Sequence, residues 1–223
     1  MQQLRLGLRS GHLIASMSNG DWLLDTGSPT SFGGASEIEL DDRRFTIAAD
    51  YFGLNSTALS ELVGEPLAGL IGTDVLGQLD LQIDIEAESV TASLQPIELA
   101  GIGIELEEFM GVSILRIQSG EGEHRMFFDT GAQISYFQND GLESFRSAGK
   151  VRDFFPGMGE FDTETHMVPF AIGPLAFEFR CGRLPDLLGL TLMMAGVEGI
   201  VGNVICAGRK IGYFPRRQML VLA

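Results

Sequence analysis

Two acidic residues in this sequence sit in closely matched surroundings. Trp22 to Phe32 reads WLLDTGSPTSF and Phe127 to Phe137 reads FFDTGAQISYF. Asp25 and Asp129 thus each follow two large apolar residues and precede Thr-Gly. An isolated buried carboxylate costs several kcal/mol unless it is paired or hydrogen-bonded. An acid written twice into an apolar turn therefore points to a pair. Two carboxylates within about 3 Å cannot both ionise, so they share one proton and titrate together. One member can then take a proton from a water lying between them, while the other donates to the carbonyl oxygen of an amide under attack. Gly27 and Gly131 would let backbone N–H groups approach the carboxylates, and the hydroxyls of Thr26 and Thr130 could brace one turn against the other. Ser28 follows the first motif and Ala132 the second. A Ser28 hydroxyl donating to Asp25 would favour its ionised form and leave most of the shared proton on Asp129.

The elements that must bring the acids together also recur. GLIGTDVL at Gly69–Leu76 follows the first motif and GIVGNVIC at Gly199–Cys206 the second, so the chain reads as a duplicated unit. The expected halves are 1–95 and 96–223, joined near Gln95-Pro96 or the glycine-spaced LAGIGIEL. From Asp25 to Gly72 is 47 residues, and from Asp129 to Gly202 is 73. The longer second copy has room for one more helix or hairpin. VRDFFPGMGEFDTETHMV, with turn residues between strand-like flanks, is expected to form a projecting hairpin.

Most of each unit reads as strand. Leu79, Leu81, Ile83 and Ile85 alternate with polar residues, and Glu88-Ser89 offers a turn before the next run. Short helices are expected over about 56–63, about 140–148 between Asp140 and Gly149, and about 185–195 before Gly196. Asn55-Ser56-Thr57 reads as a polar helix start. The predicted fold class is all-β in two related lobes with minor helix.

The stretch Leu23 to Ser28 with Leu70-Ile71-Gly72, and the stretch Phe127 to Ala132 with Ile200-Val201-Gly202, resemble the aspartic peptidases of the pepsin and retropepsin superfamily. The resemblance covers the framework of both halves. It implies a bilobal β fold, Asp25 and Asp129 as catalytic acids, Thr26 and Thr130 bracing them, and a peptide substrate lying extended in the cleft as an added strand. The chain is shorter than pepsins and closer to two fused retropepsin units. Pepsins carry their flap in the first half; here GGASEIELDDRRFTIAADYFGLNS shows no long hairpin tip. The lid is therefore expected in the second half, at Phe154, Phe155, Pro156, Gly157, Met158, Gly159 and Phe161. The three phenylalanines also fit a core role.

Other chemistries find little footing. The net charge is −15 and no basic stripe exists, so a nucleic-acid partner is not expected. No run of 18 apolar residues spans a membrane, and the N-terminal stretch lacks a secretory pattern, so a cytoplasmic setting is expected. His12, His124 and His166 are scattered without metal-ligand spacing, and no cofactor motif occurs. Cys181 and Cys206 read as buried fillers, Trp22 as packing, and Tyr51 as either a flap-like or a strand-surface residue. A single chain suffices for the dyad. The rival class is a peptide-binding module that kept the fold without turnover. A further variant confines activity to one regulatory cleavage that needs a partner to open the cleft.

Overall fold

The computed structural model describes residues 1–120, 122–155 and 158–223. Alternation becomes strand where the sequence asks for it. Asp80–Asp84 buries Leu81 and Ile83, Ser89–Ser93 buries Val90 and Ala92, and the two pair antiparallel with Ile83 opposite Val90. Helix Ser56–Val63 starts at Asn55, whose side chain accepts the Ala58 N–H at 3.0 Å, and stops at Gly64 with φ 75°. Helix Asp186–Met194 also forms, close to the expected bounds.

The expected helix over 140–148 is corrected. Only Leu142–Ser144 makes a single 3-10 turn, and Arg146–Phe155 is a strand paired with Gly159–Ile172. Gly149 does take the left-handed conformation a helix stop would use, φ 79°, but at the bulge where the strand register shifts between Ser147 and Gly149. Cross-strand pairing along the long hairpin outweighs the local helix signal. This hairpin takes up most of the second half's additional residues.

Among the described residues the strands form two large sheets. The eight-stranded one runs Glu107–Phe109, Val112–Ser119, Gly122–Phe128, Gly199–Val201, Ser135–Phe137, Leu175–Gly182, Gly159–Ile172, Arg146–Phe155. The ten-stranded one runs from Ile102–Glu105 through Met219–Leu222 and Lys210–Phe214 to Asp80–Asp84, and ends on Gly20–Leu24, Gly69–Ile71 and Phe32–Gly33. Three of its strands thus come from beyond residue 95. Asp84 faces Lys210 across the junction, and Ile211 faces Leu222 between two of the added strands. The result is a mostly β, two-lobed architecture.

Each half threads one strand between two others. Gly69–Ile71 lies parallel to Gly20–Leu24 and antiparallel to Phe32–Gly33. Gly199–Val201 lies parallel to Gly122–Phe128 and antiparallel to Ser135–Phe137. A Cβ on Gly69 would stand 2.1 Å from Phe32 O, and one on Gly199 would stand 2.1 Å from Tyr136 O, so only glycine admits the threading strand so closely. Trp22 is fully buried behind the first motif, its indole N–H donating to Asn19 Oδ1 at 3.0 Å, as its packing role required. Cys181 and Cys206 are free and buried, and burial pushes both thiols up to about 12. No described helix is long and apolar enough to cross a membrane.

Candidate active site

The threaded strands aim both acidic turns at one point. Asp25 N–H donates to Ile71 O and Asp129 N–H to Val201 O, each at 3.0 Å, which pins each acid to the end of its threading strand. The turns are also tied from behind. Ser31 Oγ accepts the Gly72 N–H at 2.8 Å and Ser135 Oγ accepts the Gly202 N–H at 3.1 Å, both serines being fully buried. These serines stand six residues after each acid, a repeat legible in the sequence but passed over there.

The threonines interlock. Thr26 N–H donates to Thr130 Oγ1 at 3.1 Å and Thr130 N–H to Thr26 Oγ1 at 2.9 Å. Each hydroxyl then donates to the strand before the other acid, Thr26 Oγ1 to Phe128 O at 2.9 Å and Thr130 Oγ1 to Leu24 O at 2.8 Å. Four bonds made by two buried residues, two between them and two to the opposite strands, fix the spacing of the turns more rigidly than packing alone.

The carboxyl groups of Asp25 and Asp129 are brought together in one cavity, each packed against the glycine of the other's turn. Asp25 Oδ1 accepts the N–H groups of Gly27 and Ser28 at 2.9 and 2.8 Å, and Asp129 Oδ1 those of Gly131 and Ala132 at 2.8 and 3.2 Å. A Cβ on Gly27 would lie 2.2 Å from Asp129 Cγ, and one on Gly131 would lie 2.5 Å from Asp25 Cγ. Both glycines are therefore required by close approach. Burial raises the pKa of both acids, and the Asp25 charge raises Asp129 further.

One expectation about this pair fails. The Ser28 hydroxyl does not donate to Asp25; it donates to Thr30 O at 3.0 Å. Its backbone N–H, which alanine would supply equally, makes the bond to Asp25 instead. The difference left between the two turns is the longer bond that Ala132 N–H makes to Asp129, 3.2 Å.

The long hairpin of the second half lies over the pair. Phe154, Phe155 and Phe161 line a cavity of about 140 Å³ that also has Asp25 and Asp129 on its floor. Phe154 packs against the first-half cluster that contains Leu23, Leu54 and Leu59, so the hairpin touches the opposite lobe. Phe161 and Met158 pack on the second-half cluster beside Tyr136. Gly159 turns the chain back with φ 85°. Pro156 and Gly157 lie outside the described residues. In the first half the short pairing of Asp50–Tyr51 with Leu54–Asn55 brings Tyr51 to the cleft, while the hairpin of Glu37–Leu40 with Arg43–Thr46 does not line it. Its hydroxyl is pushed up by burial and then by the Asp25 charge.

Three further residues were not found from sequence. Tyr136 and the buried Asp153 both line the cleft and are hydrogen-bonded to each other. His12 lines it too, with Nδ1 2.8 Å from Gly131 O. Tyr136 has a usable signal, since it stands seven residues after its acid where Phe32 stands after the other. Among the described residues no His, Cys, Asp and Glu group forms a metal-binding cluster.

No protein-family model matches the chain, and no curated protein matches it. Among solved structures the fold is similar to an aspartic proteinase from Irpex lacteus, with a TM-score of 0.53 and 12% identity over 100% of this chain and 96% of that one. The chain has the bilobal, all-β fold of the pepsin-like aspartic proteinases.

Proposed function

We propose that this chain is an aspartic endopeptidase that hydrolyses peptide bonds with Asp25 and Asp129. The observation that carries the reading is the juxtaposition of the two carboxyls in one cavity, each held by two N–H groups and set by the interlocked threonines. Such an arrangement favours one shared proton over two charges. Asp25 accepts its two N–H groups at 2.9 and 2.8 Å and Asp129 at 2.8 and 3.2 Å, so in this reading the more closely held Asp25 keeps the charge and acts as the base while Asp129 holds the proton. Asp25 removes a proton from water as its oxygen attacks the peptide carbonyl carbon, and Asp129 donates to the carbonyl oxygen. The tetrahedral diol collapses as its hydroxyl returns a proton to Asp129 and the amide nitrogen takes one from Asp25. The C–N bond breaks and the starting protonation state returns.

The substrate in this reading is an extended peptide with apolar side chains at the cut. Leu23, Leu54, Leu59, Leu70, Phe161 and Ile200 form the cleft walls. A cavity of about 140 Å³ is far smaller than the several hundred cubic ångströms a bound peptide segment fills, so the hairpin must lift Phe154 from the first lobe to admit it. Incubation with a peptide library, read by mass spectrometry from pH 3 to 8, tests the proposal. Cleavage abolished by Asp25→Asn and by Asp129→Asn is expected. Peptides bound equally well by wild type and both variants, with none cut, would replace it with the peptide-binding module.

A further inference from the structure

The tight turn that opens the fold is copied in the second half. Arg9 faces His12 across Ser10-Gly11, and Phe109 faces Val112 across Met110-Gly111. The turn residues have φ 48° and 81° in the first copy and 51° and 83° in the second, so His12 and Val112 occupy the same place. Each turn leans on the opposite half. Asn203 Nδ2 donates to Gly11 O at 2.8 Å, and a Cβ on Gly111 would stand 3.4 Å from Oγ1 of Thr73, the residue that matches Asn203. At one shared position, then, the first copy carries an imidazole and the second an isopropyl group.

His12 is 3% exposed, with Nδ1 2.8 Å from Gly131 O. A carbonyl oxygen can only accept, so Nδ1 carries the hydrogen. That carbonyl belongs to the Gly131–Ala132 peptide, whose N–H donates to Asp129 Oδ1 at 3.2 Å. Imidazole, peptide and carboxylate therefore form a chain of hydrogen bonds, and bonds in series strengthen one another. On the other side the Gly27–Ser28 peptide donates to Asp25 at 2.8 Å, and Val112 has no donor to add. The imidazole supports the longer of the two contacts.

We propose that His12 is a positioning residue for the acid pair, acting through the Gly131–Ala132 peptide to hold Asp129 and to stabilise negative charge on it. This rests on the reading of Asp25 and Asp129 as a coupled pair. The charged or titratable groups around the imidazole are Asp25 and Asp129 below it, Tyr51 from the first wall, Tyr136 and Asp153 from the second, and Arg9 across its turn, the last engaged by Asp21 and Glu65.

The test is a carboxyl ¹³C NMR titration of the two aspartates in wild type, His12→Val and His12→Asn, which needs no substrate. His12→Val copies the second-half residue and should raise the upper apparent pKa of the pair by a few tenths of a unit. His12→Asn places an amide N–H where Nδ1 stood and should bring it back. Both variants lack the imidazole's own charge, so recovery in the second isolates the hydrogen bond. Peptide assays should show kcat reduced several-fold in His12→Val with KM little changed, and restored in His12→Asn. Superimposable titrations, or a shift that asparagine leaves uncorrected, would overturn the proposal. Should His12→Val fail to fold, the wild-type imidazole ¹⁵N spectrum decides: a proton on Nδ1 of the neutral ring supports it, and a bare Nδ1 ends it. A pair that titrates as described in a chain that cuts no peptide would remove the peptidase reading and leave this one intact.

Discussion

The phenol of Tyr136 donates to the carboxylate of Asp153, and so ties the strand behind the second acidic turn to the hairpin above the cleft. Both residues are buried. Burial and then the Asp153 charge push the phenol far above its ordinary value, so it remains a donor at any working pH.

Tyr136→Phe removes that donor and leaves a buried carboxylate one partner short. A loss of about 1.5–3 kcal/mol is typical of hydrogen bonds to charged groups. If the hairpin is the lid, the loss falls on closure, and kcat/KM should drop roughly 10- to 150-fold while Phe154 mobility rises. Peptide kinetics with ¹⁹F-labelled phenylalanine spectra check both. Unchanged kinetics would detach this contact from the lid.

Gly27→Ala would put a methyl group 2.2 Å from Asp129 Cγ. The turn must shift, and the carboxyls separate. Activity should fall roughly 100-fold or more, with the circular dichroism spectrum retained. Full activity would show that the pair tolerates a gap the proposed chemistry does not allow.

The acid pair also makes a stability prediction with a definite sign. Asp129 is raised well above its ordinary 3.8 by burial and by the Asp25 charge. A group of this kind supports the fold while protonated; its contribution is full below the unfolded value and is lost as pH rises through the folded one. Asp129→Asn keeps the shape in a permanently neutral form. Its melting temperature should exceed that of wild type at pH 7 and match it near pH 3. A lower melting temperature at pH 7 would contradict the assigned shift.

Far from the cleft, Asp80 is 1% exposed and accepts from Arg216 at 2.8 Å, Arg217 at 2.6 Å and the Ile97 N–H at 3.0 Å. Arg217 also lies 4.1 Å over the Phe214 ring. Strand, connector and C-terminal turn meet on one carboxylate. Asp80→Ala should cost about 2–3 kcal/mol, below the 3–5 of a fully buried pair because the guanidinium side chains remain 33% and 32% exposed. Differential scanning calorimetry should show a melting temperature lower by roughly 5–10 °C.

What the sequence disclosed follows from the range of the forces involved. The acids, threonines and glycines were readable because both halves repeat the same local turn, and the two copies corroborate each other. Residues 140–148 were misread because Gly149 reports a positive φ, which a helix stop and a strand bulge share; only pairing with Gly159–Ile172 decides between them. Ser28 was misassigned because a hydroxyl beside an acid can turn either way, and Thr30 O captured it. Asp153 was invisible because its meeting with Tyr136 depends on how the hairpin folds back. His12 could have been found. Aligning SGHLIA with MGVSIL sets it against Val112, and a polar residue in one copy alone marks a broken symmetry.

The most direct measurement is the hydrolysis of a cleavable peptide in H₂¹⁸O by wild type, Asp25→Asn and Asp129→Asn, followed across pH by mass spectrometry. A bell-shaped rate, one ¹⁸O in each new carboxyl terminus, and no turnover by either asparagine variant are expected. Undiminished cutting by one of those variants would mean that the two acids do not work as a pair.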